Sequence, residues 1–100
     1  MEIRHVNETG KGNFKALEAG KEAGILAYTW AGEDKFIIDH TKVAHEFESK
    51  GVGKKLLMEA VDFARKNKLK IIPICPCTKS IFDKTENIKD VLFMVEPEQS

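Results

Sequence analysis

The chain has 100 residues, 32% charged and 42% hydrophobic, with Lys+Arg and Asp+Glu both at 16 and no net charge at pH 7. That length suits one core rather than two, and the even balance gives no global field that would draw the chain to nucleic acid or membrane. With no membrane-length apolar run, no signal-peptide core after Met1 and two cysteines too close for a disulfide framework, the expectation is one minimal domain over residues 1–100, a cytoplasmic monomer in a reducing setting.

Residues 2–7 read as a short first strand. Thr9-Gly10-Lys11-Gly12-Asn13 is a turn cluster, and residues 14–19 alternate apolar with polar as a half-buried strand does. Gly20-Lys21-Glu22 turns again into a third strand over residues 23–30, and Ala31-Gly32-Glu33-Asp34 turns into a fourth over residues 35–43. Short turns between alternating runs predict an antiparallel meander. The period then changes. Val52, Leu56, Leu57, Ala60, Val61 and Ala64 recur at spacings of three to four, the buried stripe of a helix over residues 52–67. Ser49 suits its N-cap, and Arg65-Lys66-Asn67-Lys68 places cations and a stop at the far end. Residues 69–75 read as a buried fifth strand, Pro76 as the first residue of a second helix over residues 76–84, and residues 91–95 as a last edge strand. The fold class expected is α/β, a mixed and mainly antiparallel sheet with a long helix across one face and a second short helix.

The chemistry concentrates between residues 39 and 76. Gly51 and Gly53 precede and open the long helix, where backbone N–H groups and the dipole favour an anion and small residues let it approach. Lys50, Lys54 and Lys55 add local positive charge. The plain alternative is a glycine turn needed only for packing. The G-x-x-x-x-G-K-[ST] of a mononucleotide loop is absent. A dinucleotide fingerprint belongs to an all-parallel unit, whereas an antiparallel meander feeds this turn.

Asp39-His40-Thr41-Lys42-Val43, Lys50-Gly51-Val52-Gly53-Lys54-Lys55-Leu56 and Ile72-Pro73-Ile74-Cys75-Pro76 together resemble the GNAT acetyltransferase superfamily, in particular its compact members. The resemblance covers nearly the whole chain, most strongly residues 36–83. Of the usual Gln/Arg-x-x-Gly-x-Gly/Ala turn, Gly51 and Gly53 are present, while Glu48 replaces the leading residue and Ser49 a common glycine. The resemblance implies that acetyl-CoA or coenzyme A lays its pyrophosphate on the N–H groups of residues 49–54: Ser49, Lys50, Gly51, Val52, Gly53 and Lys54. It also implies that the pantetheine arm pairs with the fourth strand at Thr41, Lys42 and Val43, where that strand splays from the fifth. The thioester would then arrive between His40 and Cys75.

Cys75 directly precedes a proline that starts a helix, where the dipole favours a thiolate. His40 could take its proton or serve as base for an acceptor amine. Both have plain alternatives, a small buried cysteine at a strand end and a hydrogen-bonded edge histidine. Cys77 is expected to pack in the second helix and His45 to lie in the loop before the glycine turn. C-P-C spacing matches no structural zinc motif, so no metal is expected. Tyr28 and Trp30 share one parity and read as core or sheet-face residues, the alternative being that they line an acceptor groove. The function expected is an N-acetyltransferase acting on an exposed amine, such as one on a protein, by direct transfer or through an acetyl-cysteine. The rival is a coenzyme A-binding regulatory module without turnover, and a third reading is a small scaffold.

Overall fold

A computed structural model describes residues 1–48 and 50–93. Five strands form one sheet in chain order: β1 (Glu2–Glu8), β2 (Lys11–Glu18), β3 (Lys21–Trp30) and β4 (Lys35–Val43) are antiparallel, and β5 (Lys70–Pro73) joins β4 in parallel. Helix α1 (Val52–Asn67) makes the crossover from β4 to β5. Helix α2 (Pro76–Lys84) follows β5, and a 3-10 turn (Glu86–Val91) follows α2. The mixed sheet with a long helix and a second short one agrees with the sequence reading. No helix among the described residues is long and apolar enough to cross a membrane.

The six residues of the expected stripe, Val52, Leu56, Leu57, Ala60, Val61 and Ala64, are the buried ones of α1. They meet Phe14, Leu26, Tyr28, Phe36 and Ile38 from the sheet in one core. Each large apolar side chain removed from water there contributes roughly 1.5–3 kcal/mol before chain entropy is counted. Gly24 lets the start of α1 settle on the sheet. A Cβ at that position would lie 2.8 Å from Val52 Cγ1 and 2.9 Å from the Lys42 carbonyl oxygen.

Several boundaries differ from expectation. The first two turns are tighter, because Glu8 pairs with Lys11 and Glu18 with Lys21. In the second, Ala19 and Gly20 both take the left-handed backbone, with φ of 53° and 81°. That backbone matches the twist of a two-residue hairpin, but an alanine gives no warning of it. The N-cap of α1 is Gly51, at φ 72° and ψ 24°. Ser49, expected there, lies outside the described residues. The fifth strand stops at Pro73, leaving Ile74 58% exposed and Cys75 as the cap of α2. Of the expected last strand, Val91 closes the 3-10 turn and Leu92 bridges in parallel to Ile71. The Phe93 N–H donates to the Ile71 carbonyl at 2.8 Å, and residues 94 and 95 lie outside the described ones.

At the other end of α1, His5 on β1 stacks on Phe14 with centroids 4.1 Å apart and meets Phe63 edge-on at 4.5 Å. Its Nε2 lies 2.6 Å from the Tyr28 hydroxyl. Trp30 Nε1 donates to Asn7 Oδ1 at 2.9 Å. Burial lowers the His5 pKa below 6.5 and raises that of Tyr28 to about 12. Tyr28 and Trp30 are therefore sheet and core residues, as their parity predicts.

Candidate active site

The sheet opens at one place. The ladder between β4 and β5 runs from Lys35–Lys70 to Ile38–Pro73 and ends there. β4 continues from Asp39 to Val43 paired only with β3, while the chain after Pro73 turns away toward α2. Proline lacks the N–H that would carry the ladder further, so the two strands part into a fork.

Cys75 sits in that fork. It is buried, with 8% of its surface exposed. Desolvation pushes its pKa up, yet the net shift is downward from 9.0. The backbone N–H groups of Thr78, Cys77 and Thr41, together with the Thr78 hydroxyl, favour the thiolate and outweigh the burial, while no cap hydrogen bond joins the Cys75 side chain to α2. Two of those donors are the exposed first-turn N–H groups of α2, and the third comes from β4. Thr78 is itself buried and its hydroxyl lies 3.2 Å from Thr41 Oγ1, tying α2 to the fourth strand. Sequence reasoning missed Thr78. Its only signal was a hydroxyl residue three positions after the cysteine.

The Ala44 N–H donates to the Ala23 carbonyl on β3 at 2.8 Å, so alternation turns the Thr41 N–H toward the fork. Alternation along an antiparallel strand turns the Val43 N–H toward the fork as well. Lys42, between them, is exposed on the other side of the ladder. His40 immediately precedes Thr41, pairs with Ala27 of β3 and is exposed. The structure brings His40 and Cys75 to the same strand end, but no hydrogen bond joins them among the described residues. Cys77, expected to pack inward, is exposed, because the second residue of α2 faces outward. His45 lies in a 3-10 turn (His45–Phe47), its Nδ1 3.5 Å from Glu48 Oε1 at the surface.

The start of α1 flanks the fork. The Lys55 N–H donates to the Gly51 carbonyl at 3.1 Å, the first bond of the helix. The N–H groups of Val52, Gly53 and Lys54 consequently have no intrahelical acceptor. The Lys50 N–H is engaged by the Phe47 carbonyl at 3.1 Å, which narrows the expected donor set. Gly51 is required by its positive φ. Gly53 is not required by the fold: its φ is ordinary, and a Cβ there would meet nothing nearer than Val43 Cγ2 at 3.8 Å. A hollow of about 610 Å³ extends from Gly51 along Lys54, Lys55 and Met58 to Met1 and Ile3, on the β1 side and away from the fork.

These features define a class: α/β domains in which a helix N-terminus lies beside a forked parallel strand pair. A sequence profile of the GCN5-related N-acetyl-transferase family matches residues 13–91. The chain belongs to that family, an enzyme family of N-acetyltransferases. The solution structure of a GCN5-like protein from Staphylococcus aureus is 32% identical over 98% of this chain and 93% of its own, with a TM-score of 0.73. A ribosomal-protein-alanine N-acetyltransferase from Brucella melitensis, 16% identical over 93% of this chain and 69% of its own, has a TM-score of 0.71. The aminoglycoside N-acetyltransferase AAC(6')-Iy, solved with CoA, is 15% identical over 99% of this chain and 95% of its own, with a TM-score of 0.58. The last two share the fold. No curated protein matches.

Proposed function

We propose that this protein transfers an acetyl group from acetyl-CoA to an exposed amine, with the donor threaded into the fork between β4 and β5. The observation that carries the reading is the fork in which β4 and β5 part beyond Pro73, with the buried Cys75 directly after it. Coenzyme A in the related AAC(6')-Iy supports the choice of donor. Gly51, Val52, Gly53 and Lys54 would receive the pyrophosphate, with Lys50 and Lys55 adding charge and a Ser49 role also proposed. Thr41, Lys42 and Val43 would line the pantetheine arm.

The route proposed runs through Cys75. Its thiolate attacks the thioester carbonyl, and the sulfur–carbon bond of the donor breaks with the thiolate of coenzyme A leaving. The N–H groups of Thr41, Cys77 and Thr78 then face the new thioester and stabilise the oxyanion of the second step. The incoming amine attacks that carbonyl, loses a proton to His40, and Cys75 leaves as thiolate. In the direct route the amine attacks the donor itself and His40 keeps its role.

Incubation with isotopically labelled acetyl-CoA followed by mass spectrometry of the intact chain and its peptides separates the two. A single acetyl on Cys75, absent in Cys75→Ala and removed by added amine, is the expected result. Full turnover by Cys75→Ala would assign catalysis to direct transfer. No adduct and no turnover would leave the binding-module reading.

A further inference from the structure

The sheet ends on one side in β1, exposed along its whole length except at Ile3. The fork lies at the opposite side of the sheet, so this edge is no part of the donor cleft. Glu8 and Lys11 flank a two-residue turn and form the first hydrogen-bonded pair of the β1–β2 ladder. Alternation then points the N–H and C=O groups of Glu2, Arg4, Val6 and Glu8 at β2, and those of Ile3, His5 and Asn7 outward. Among the described residues no backbone group meets that outer row. β1 also lacks features that commonly blunt an edge. It holds no proline or lysine, and its register with β2 runs unbroken from Glu2 to Glu8. Helix α1 lies over β2, β3 and β4 rather than over this edge.

An edge of this kind takes up another strand, and the side chains of β1 select which. Ile3 and His5 pair with the buried Ala16 and Phe14, so Glu2, Arg4, Val6 and Glu8 share the face turned away from α1. Outward groups on the odd residues pair with the odd residues of a second β1, so an antiparallel twofold pairing has its axis at a single residue. An axis at Arg4 sets two arginines face to face. At His5 it sets Glu2 against Glu8, and at Asn7 it sets Val6 against Glu8. Parallel pairing in register stacks each charge on itself. An axis at Val6 brings no like charges together. Arg4 of each copy then faces Glu8 of the other, and Val6, 42% exposed, faces its own counterpart. His5 and Asn7 exchange the backbone hydrogen bonds. The facing even-numbered residues are the non-hydrogen-bonded pairs, whose side chains come closest. Arg4 Nε already donates to Glu2 Oε2 at 2.7 Å, and its two terminal nitrogens remain for the second carboxylate.

We infer that β1 is an interface for a second copy of this chain: two copies pair antiparallel through β1 about Val6 into one continuous sheet, with both α1 helices on the same face. The pairing uses up both β1 edges and so closes at two copies. It stands in place of the monomer expected from the sequence. The inference is independent of the acetyl-transfer reading, since both forks stay open at the outer ends of the joined sheet. One strand pair is a small interface, so association is weak and set by protein concentration.

Sedimentation of the full chain between about 10 μM and about 1 mM should show a monomer–dimer equilibrium. Arg4→Glu and Glu8→Arg, both at exposed positions, should each weaken self-association about tenfold or more, because each sets like charges face to face on both sides of the axis. An equimolar mixture of the two variants should regain the parent's affinity, since the introduced charges then complement one another. Thermal melts of the dilute variants should match the parent, which separates lost pairing from lost folding. In the parent dimer the His5 and Asn7 amides should exchange with solvent at least about tenfold more slowly than in Arg4→Glu protein. A parent that stays monomeric up to about 1 mM, self-association unchanged by both charge reversals, a mixture no tighter than its components, or equal exchange at His5 and Asn7 would each overturn the inference.

Discussion

Gly53→Ala separates what the fold needs from what a ligand needs. Glycine inside a helix is less favourable than alanine by up to about 1 kcal/mol, and nearer half that in the first turn. Gly53 has an ordinary φ, and an added Cβ finds its nearest neighbour, Val43 Cγ2, at 3.8 Å, normal contact. The substitution should therefore stabilise the protein by about 0.5 kcal/mol, a rise of roughly 2–4 °C in Tm for a chain of this size. The same methyl group would stand where a diphosphate approaches the N–H groups of Val52, Gly53 and Lys54. Coenzyme A affinity should fall about tenfold, or 1.4 kcal/mol. Thermal melts with and without ligand, paired with titration calorimetry, read both quantities on one sample. A higher Tm with unchanged affinity would show that no phosphate sits there. A lower Tm would show that the space beside Gly53 has been misjudged. Gly51→Ala is a poorer probe, because its φ of 72° strains any side chain and mixes the two effects.

Gly24→Ala should destabilise the fold by about 1–3 kcal/mol, the range for overpacking a tight contact, since the new methyl would press on Val52 and the Lys42 carbonyl; denaturant melts check it. In Cys77→Ser protein, thiolate absorbance should rise with a midpoint below 9.0, because the nearby N–H groups of Thr78, Cys77 and Thr41 and the Thr78 hydroxyl favour the Cys75 anion. Thr78→Val, which removes the hydroxyl and keeps the backbone N–H, should move that midpoint upward. The folded pKa being the lower one, Cys75 adds stability as pH rises from that value toward 9.0 and loses it as pH falls back. His5 acts at lower pH. Its folded pKa is depressed from 6.5 by burial, so the unfolded chain binds the extra proton and stability falls as pH drops below 6.5. Melts of His5→Phe between pH 7 and pH 5 should show a shallower decline than the parent.

Periodicity made α1 legible to the residue, because a buried stripe at spacings of three to four has one geometric solution. Pro76 marked the start of α2 for an equally local reason. The fork was legible through Pro73, which cannot donate, and the cysteine through its place before a helix. What lay hidden depends on tertiary partners. The left-handed Ala19 and the 3-10 turn after α2 have no sequence signature, and the inward aim of Thr78 had only its spacing from Cys75. His5 looked like part of an unremarkable first strand, and only the fold lays it on Phe14 and Tyr28. The β3–β4 register shift beside His40 is a property that no single strand carries.

Amide shifts of the labelled protein on titration with coenzyme A test the donor cleft most directly. Saturable changes should concentrate at Thr41 and Val43, at Gly51 to Lys54, and at Cys75 to Thr78, with the far end around His5 and Trp30 silent. Changes confined to the 610 Å³ hollow by Met1 and Met58, or no saturable change, would contradict a diphosphate on the helix start and a thioester in the fork.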